Sequence, residues 1–212
     1  MSRPLRASLN AKSLSLIGIP KDMQEKTMKD FDTFQEESLE SVKTCIEDYI
    51  INLDVQFEKN NGLFLYGSNG VGKTFIASTV IKEAYRRRYR SKRVSFADYV
   101  QEYTRVWQAS SEEAREELED SLYTNYKGVE FLALEEVGKE IDSKIAAPIL
   151  EDLLRYREDK ALPTIICTNL DIKDLADRYG NSITSLIKGN ETPILIEGKD
   201  KRRMYFSDKT TK

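Results

Sequence analysis

The feature that most constrains the fold is a glycine-rich segment at residues 67–74. Its sequence, Gly67-Ser68-Asn69-Gly70-Val71-Gly72-Lys73-Thr74, satisfies the pattern G-x-x-x-x-G-K-[ST] at every position. It follows a short apolar run at 62–66 and opens a segment whose apolar residues have helical spacing, which is the strand–loop–helix context that the motif requires. Glycines allow successive backbone N–H groups to surround a polyphosphate, and the N-terminus of the next helix adds a positive dipole. The segment therefore predicts a nucleotide-binding loop.

Two side chains of this loop have expected roles. Lys73 is predicted to contact the β- and γ-phosphates of a nucleoside triphosphate, and the Thr74 hydroxyl is predicted to coordinate Mg²⁺. The other six residues, 67–72, would contact the phosphates through their backbone.

The composition describes one globular unit. The 212 residues are 40% hydrophobic and 33% charged, which is enough for one sizeable core. The chain has no histidine and only two distant cysteines, so a zinc module is excluded and a reducing, cytoplasmic environment is the simplest interpretation. No apolar run approaches the ~20 residues of a membrane span, so no membrane partner is expected. Without histidine, any hydrolysis must rely on carboxylates.

Apolar strands alternate with helical patterns along the chain, which predicts βαβ units and a parallel sheet. The predicted strands are 62–66, 94–96, 129–134 and 163–168, with late strands at 193–196 and 203–206; the predicted helices are 38–53, 73–90, 98–107, 112–126, 141–157 and 175–187, the last broken at Gly180. The domain division is a basic N-terminal arm at 1–36, partly disordered or short helical, one α/β domain at 37–206, and a tail at 207–212.

Two surface features leave alternatives open. The basic run at 86–93 is either a helix end favoured by the dipole or a phosphate-binding patch with tyrosines available for stacking. Trp107, the single tryptophan, is predicted to be a core residue rather than a platform for stacking bases.

Polar residues end two of the predicted strands. Glu135 and Glu136 close the third strand, and Asn169 closes the fourth. In a doubly wound sheet these ends meet at the ligand site. Glu135 is predicted to hold Mg²⁺, and Glu136 to orient or deprotonate the attacking water. Asn169 is predicted to hydrogen-bond that water or the γ-phosphate, a role compatible with a helix cap or an Asx turn.

Together the segments 62–74, 134–140 and 164–170 resemble the AAA+ domain of the DnaC/DnaI helicase loaders and the related IstB transposition ATPases, over roughly residues 30–206. The resemblance implies an α/β P-loop NTPase of AAA+ type, with a five-stranded parallel sheet flanked by helices and no full separate lid domain. It also implies ATP as the nucleotide, Walker A at 67–74, Walker B at 131–136, sensor 1 at Asn169, and Arg202 as a sensor-2-like arginine at the nucleotide. The helices between the second and third strands lie where these loaders carry elements near DNA.

The chain departs from the family pattern at three places. Glu135 replaces the usual aspartate of Walker B. The two arginine positions of the family's Gly-Glu-Arg-Ile-x-x-Arg-Leu stretch are Ser182 and Leu186, and the second is the arginine finger, so feeble hydrolysis is predicted, with Arg178 as a weak substitute. Only some tens of residues precede the core, so contact with a helicase would have to come from the basic arm and first helix, or be absent.

These features lead to one predicted function and two alternatives. The expected protein is a phage- or mobile-element-type loader that places the replicative helicase on single-stranded DNA, assembles with itself or with a host loader, and uses Mg·ATP mainly as a conformational switch. The alternatives are an IstB-like helper of a transposase and a non-catalytic AAA+ protein that caps or inhibits a loader.

Overall fold

A parallel five-stranded sheet forms the centre of the protein. The computed structural model describes residues 9–140 and 143–198. The strands are β1 (Gly62–Tyr66), β2 (Ser91–Ser95), β3 (Phe131–Val137), β4 (Thr164–Thr168) and β5 (Glu191–Leu195), in the spatial order β2-β3-β4-β1-β5. Every neighbouring pair is parallel. The predicted α/β class and the five-stranded parallel sheet are confirmed.

Helices cover both faces of this sheet. Their bounds are α1 (Ala11–Leu16), α2 (Glu37–Ile51), α3 (Leu53–Glu58), α4 (Lys73–Arg86), α5 (Phe96–Trp107), α6 (Glu112–Leu122), α7 (Ser143–Asp159), α8 (Ile172–Tyr179) and α9 (Asn181–Asn190). Strand residues alternate between the faces. Leu63 and Leu65 join a core with α1, α2 and α4, whereas Phe64 joins a second core with α5, α7, α8 and α9. Val71, within the glycine-rich segment 67–74, is buried in the first of these cores.

Some element boundaries differ from those expected. The predicted helix at 112–126 ends at Leu122 and continues as one π-helical turn, Tyr123–Lys127. Strand β2 begins at Ser91, earlier than the expected residue 94, because the polar start of the strand gives no apolar signal. The predicted break at Gly180 separates α8 from α9, with φ of 93° at the glycine. The expected strand at 203–206 and the tail at 207–212 lie outside the described residues.

Residues 9–32, called here the N-terminal segment, pack against the sheet domain. The segment contains α1 and two 3-10 turns, Lys21–Met23 and Met28–Asp30. Its apolar side chains are buried in the same core as β1 (Leu14, Ile19, Met28 and Phe31). Buried Lys82 of α4 holds the segment by donating to the carbonyls of Met23 at 2.6 Å, Gln24 at 3.3 Å and Lys26.

The same segment covers the free edge of the sheet at β2. The backbone N–H of Arg93 donates to the Ile17 carbonyl at 2.8 Å, and Lys92 Nζ donates to the Leu16 carbonyl at 2.8 Å. Strand β2 therefore has β3 on one side and the N-terminal segment on the other.

Most of the basic run at 86–93 is engaged within the chain. Arg87 pairs with Asp54 and Glu83 at 3.2 Å, Arg90 donates to the Gly128 carbonyl at 2.8 Å, and Arg93 points to the N-terminal segment. These contacts favour the structural alternative over a phosphate-binding patch.

The prediction that Trp107 is buried is wrong. Its side chain is 61% exposed at the end of α5, where its ring meets Tyr103 edge-on at 5.3 Å. Ile145 on α7 is also exposed. Among the helices of the described residues, none combines the length and apolarity needed to cross a bilayer.

A buried arginine closes the end of the sheet opposite the glycine loop. Arg157 is 1% exposed and donates to Thr164 Oγ1 and to the carbonyls of Val129 and Pro163, all at 2.8 Å. Burial lowers its pKa to about 9. Glu191, at the start of β5, is also buried, and burial raises the pKa of its carboxyl group well above the ordinary value.

Candidate functional site

The glycine loop connects the C-terminal end of β1 to α4, as predicted. Gly67, Gly70 and Gly72 have φ of 141°, 78° and 116°, a range that residues with a Cβ rarely adopt. Gly72 is the N-cap of α4, and no side chain caps the helix there, so its first N–H groups face the loop. Ser68 and Asn69 are exposed, whereas Val71 is buried and anchors the loop in the core.

Gly67 is required by a second contact. A Cβ at this position would lie 2.2 Å from the carbonyl oxygen of Ile196. Ile196 in turn donates its N–H to the Tyr66 carbonyl at 2.8 Å. The start of the loop is therefore fixed against the chain that leaves β5.

Lys73 Nζ lies inside the loop. It donates to the carbonyls of Gly67 at 2.7 Å and Ser68 at 2.6 Å. The ammonium group is thus placed where the loop backbone curves, which is the position from which a phosphate oxygen would be contacted.

Glu135 faces Thr74 across the site. The Thr74 hydroxyl donates to Glu135 Oε2 at 2.8 Å, and Arg93 Nε donates to Glu135 Oε1 at 3.1 Å. The Glu135 side chain is only 4% exposed. Each carboxylate oxygen therefore has at least one donor, and the buried charge is balanced by the Arg93 guanidinium.

Glu136 is exposed and has a strained backbone. The register of β3 against β4 shifts between Leu134 and Val137, and Glu136 within this bulge has φ of 60°. A non-glycine residue in this region costs on the order of 1–3 kcal/mol, and such strain clusters at functional sites. The bulge turns Glu136 outward beside buried Glu135, and its carboxylate pairs with Lys139 Nζ at 2.8 Å.

Asn169 reaches the glycine loop from β4. Its Nδ2 donates to Asn69 Oδ1 at 2.9 Å. The preceding Thr168 hydroxyl donates to the Val137 carbonyl at 2.6 Å, which ties the ends of β3 and β4 together. The polar ends of β3 and β4 therefore both lie at the glycine loop, as the sequence predicts.

A cavity of about 630 Å³ joins these residues to the N-terminal segment. Its lining includes the predicted site residues Asn69, Gly70, Gly72, Lys73, Thr74, Glu135, Glu136 and Asn169. It also includes residues that were not predicted: Pro20, Asp22, Met23, Lys26, Asp30, Phe31, Asp32, Phe75, Lys139, Cys167 and Thr168. Phe31 and Phe75 pack with their ring centroids 5.6 Å apart and give the cavity an apolar wall.

Cys167 lines this cavity and is buried. Burial, with the nearby charge of Glu135, raises the pKa of its thiol well above the ordinary value. The thiol is therefore kept neutral, and the group behaves as a small apolar side chain.

A buried carboxylate fixes the loop that follows Glu136. Glu140 Oε2 accepts from the Gly138 N–H at 3.0 Å, while its Oε1 accepts from Arg178 Nε at 3.0 Å and from the Tyr179 hydroxyl. Arg178 Nη2 also donates to the Glu140 carbonyl at 2.6 Å. Arg178 is thus held inside its own chain, which argues against its suggested role as a substitute finger.

The two positions of the missing family arginines differ in exposure. Ser182 donates to Glu151 Oε1 at 2.7 Å and accepts from Arg155 Nη2 at 2.8 Å. Leu186 is buried in the core. Arg202, the predicted sensor-2-like residue, lies outside the described residues.

The donor set fits magnesium. Hydroxyl and carboxylate oxygens are its preferred ligands, and it is usually held by one or two carboxylates together with phosphate oxygens. Within residues 9–140 and 143–198 there is no cluster of three or more metal-ligating His, Cys, Asp or Glu side chains. Thr74 and Glu135 supply a hydroxyl and a carboxylate of the types that magnesium prefers.

The sheet order, the glycine loop and the acidic end of β3 define a nucleotide-binding protein with the AAA+ P-loop fold. The chain belongs to the family of IstB-like ATP binding proteins, whose sequence profile matches residues 9–186. The expected family and the ATP-binding class are thereby confirmed.

Individual relatives come from DNA replication. The replicative helicase loader DnaI of Bacillus subtilis (strain 168) is 30% identical over 122 residues, which are 57% of this chain and 37% of that protein. The chain thus matches little more than a third of the length of this relative. The crystal structure of the DnaC helicase loader has a TM-score of 0.72 at 20% identity and covers 84% of this chain and 100% of its own. The replication initiator DnaA bound to AMPPCP and single-stranded DNA has a TM-score of 0.68 at 19% identity and covers 91% of this chain and 55% of its own. At these identities the two structures show the shared fold.

Proposed function

We propose that the protein is an ATP-dependent loader that places a replicative helicase on single-stranded DNA, with ATP acting mainly as a conformational switch. One observation carries the switch: the glycine loop is complete, whereas the family's two arginine positions hold Ser182 and, at the finger, the buried Leu186. A ligand that binds one of two conformations more tightly shifts their equilibrium without fast turnover. The identity to DnaI supports the loader class.

The site residues have separate roles in this proposal. Lys73 and the loop N–H groups bind the phosphates, and Thr74 with Glu135 would hold Mg²⁺, which neutralises phosphate charge when bound. Glu136 orients the attacking water, for which it must leave Lys139. Asn169 stands beside the loop to hydrogen-bond that water or the γ-phosphate. Arg202 remains the proposed sensor-2-like arginine.

The proposed contact with single-stranded DNA involves the exposed aromatic residues between β2 and β3. Trp107 is 61% exposed and Tyr123 is 46% exposed, and both belong to the helical insertion formed by α5, α6 and the π turn. Stacking of a base on an aromatic side chain contributes about 1–3 kcal/mol. The acidic helix α6 would repel phosphates, so binding at Trp107 would rest on stacking more than on charge.

This contact can be tested with one substitution. Trp107→Ala is expected to weaken binding of a fluorescent oligothymidine roughly 5- to 150-fold, the equivalent of losing one stacked base. Ile51→Ala serves as the matched control, because Ile51 is 67% exposed on the distant helix α2. Equal affinities for both variants would argue against the DNA contact.

The loader function is tested with the replicative helicase of the source organism. The expected result is co-purification that depends on ATP, together with transfer of the helicase onto a circular single strand. Lys73→Ala should abolish the ATP dependence. Steady-state hydrolysis at roughly 1 s⁻¹ or faster, within the usual enzymatic range, would contradict the switch.

Two observations favour other functions, each of which has its own expected result. The IstB-like profile favours a transposase helper, for which a preference for duplex DNA and filaments on duplex would be expected. The buried Leu186 favours a non-catalytic subunit that caps or inhibits a loader assembly, for which tight ATP binding, no hydrolysis and binding to a loader instead of a helicase would be expected.

A further inference from the structure

Arg93 connects the proposed magnesium ligand to the N-terminal segment. Its Nε donates to Glu135 Oε1 at 3.1 Å, and its Nη1 donates to the Gly18 carbonyl at 2.9 Å. The side chain is 18% exposed, so both contacts are largely shielded from water. One guanidinium therefore bridges the nucleotide site and residues 16–18.

Glu135 has no other cation bonded to it among the described residues. Its second oxygen is occupied by the neutral hydroxyl of Thr74. A carboxylate that is 4% exposed needs a counter-charge, and Arg93 supplies it at hydrogen-bonding distance. A magnesium ion held by Thr74 and Glu135 would be a second cation at the same carboxylate. Arg93 and the metal are thus alternative counter-charges that repel one another.

The guanidinium has space into which it can move. Arg93 lines a separate cavity of about 640 Å³ that also borders Glu135 and Gly18. The carboxylate of Asp98 lines the same cavity and is available as a new partner, whereas that of Glu102, also in the lining, is already paired with Arg105. A shift of Arg93 away from Glu135 therefore does not leave its charge unpaired.

Residues 16–18 fit closely against the backbone of Arg93. Gly18 has φ of 86°, and a Cβ there would lie 2.0 Å from the Arg93 carbonyl oxygen. The Arg93 N–H donates to Ile17, and Lys92 donates to Leu16. The position of this part of the segment and the position of the Arg93 side chain are consequently set together.

We propose that Arg93 is a positioning residue that opposes magnesium at Glu135, and that it couples the site to residues 16–18. The proposal rests on the Mg·ATP site proposed above. When residues 16–18 are docked, Gly18 holds Arg93 on Glu135 and disfavours the cation. Binding of the cation releases Arg93 and loosens residues 16–18. Because coupling between two sites is reciprocal, disturbing the segment changes the cation affinity by the corresponding factor.

The test compares nucleotide affinity with and without the cation. A fluorescent ATP analogue is titrated in excess EDTA and in excess Mg²⁺. The Kd in EDTA divided by the Kd in Mg²⁺ is the ratio that measures the magnesium dependence of binding. Arg93→Gln should increase this ratio roughly 5- to 150-fold, the usual range for coupled sites. Arg93→Lys, which keeps the charge, should stay near the parent.

A variant in the N-terminal segment, outside the glycine loop, tests the coupling itself. Gly18→Ala should increase the same ratio in the same direction, although residue 18 lies on the far side of Arg93 from Glu135. Gly189→Ala is the matched control, because a Cβ at Gly189 meets nothing within 4 Å, and it should leave the ratio unchanged. Hydrogen exchange at the amides of residues 16–19 should be faster with Mg·ATP than with ATP and EDTA in the parent, and equal in Arg93→Gln.

The outcomes separate the two proposals. If the parent binds the analogue with a magnesium dependence that neither Arg93→Gln nor Gly18→Ala increases, the coupling is overturned and the nucleotide site stands. If the parent does not bind the analogue at all, the proposed function and the coupling both fail. Variants are compared only after circular dichroism shows that each has the fold of the parent. If Arg93→Gln does not fold, the ratio measured for Gly18→Ala alone tests the coupling.

Discussion

Glu140 offers the sharpest test of how the loop after β3 is held. In Glu140→Gln, the amide nitrogen replaces the oxygen that accepts from the Gly138 N–H, so two donors face each other. The side chain at position 140 also loses the negative charge that pairs with Arg178. An unsatisfied buried donor and a weakened charged hydrogen bond together cost about 2–4 kcal/mol. For a chain of this length, that loss corresponds to a Tm lower by roughly 4–16 °C. Urea unfolding and thermal unfolding both measure it.

The control for this prediction is an ion pair of the same type on the surface. Glu119 pairs with Arg115 at 3.0 Å, and both side chains are about half exposed, at 51% and 53%. Exposed pairs contribute little, so Glu119→Gln should change the free energy of unfolding by about 0.5 kcal/mol or less. Equal losses in the two variants would refute the view that burial and the Gly138 contact make Glu140 important.

Three further predictions concern the loop, the site and the far end of the sheet. Gly67→Ala should abolish binding of a fluorescent ATP analogue and lower the urea midpoint, because its Cβ would collide with the Ile196 carbonyl at 2.2 Å; retained binding would contradict this reading of the loop. Glu136→Gln should leave the nucleotide Kd near that of the parent while any measured phosphate release falls by about 10²–10⁴-fold, as expected for loss of a general base, and an unchanged rate would remove Glu136 from that role. Glu191→Gln should gain stability relative to the parent as pH rises. Burial raises the pKa of the Glu191 carboxyl group in the folded parent, so the folded state favours the neutral acid. The stability that this neutral acid gives the parent is present below the ordinary pKa of 4.5 and is lost as the pH rises towards the folded-state pKa. A Tm difference that is the same at pH 5 and pH 8 would argue against this assignment.

The parts of the site that follow from sequence are those with local signals. The loop at 67–74 carries a complete motif. Glu135 and Asn169 are polar residues at the ends of apolar strands, and the general geometry of a parallel sheet is enough to predict that they lie near the loop. The alternation of strands and helices likewise fixes the fold class, because each element is long enough to show its own period.

Other parts depend on contacts between distant segments. The six-residue helix α1 is too short to show a period, so the packing of Leu14 and Ile19 could not be foreseen. Arg93 lies within a basic run, and nothing local distinguishes it from a solvated cation. The prediction for Trp107 rests on the average behaviour of tryptophan, which the exposed end of an inserted helix does not follow.

The contact of the N-terminal segment with the edge of β2 affects how a truncated form of the protein behaves. An uncovered edge strand is a template for pairing with another chain, and here the Arg93 N–H is already satisfied by Ile17. Deleting the first 20 residues would bare that row of donors and acceptors together with the apolar surface beneath Leu14 and Ile19. A truncated protein made for crystallisation should therefore begin ahead of α1, since one that begins after it invites intermolecular strand addition and precipitation.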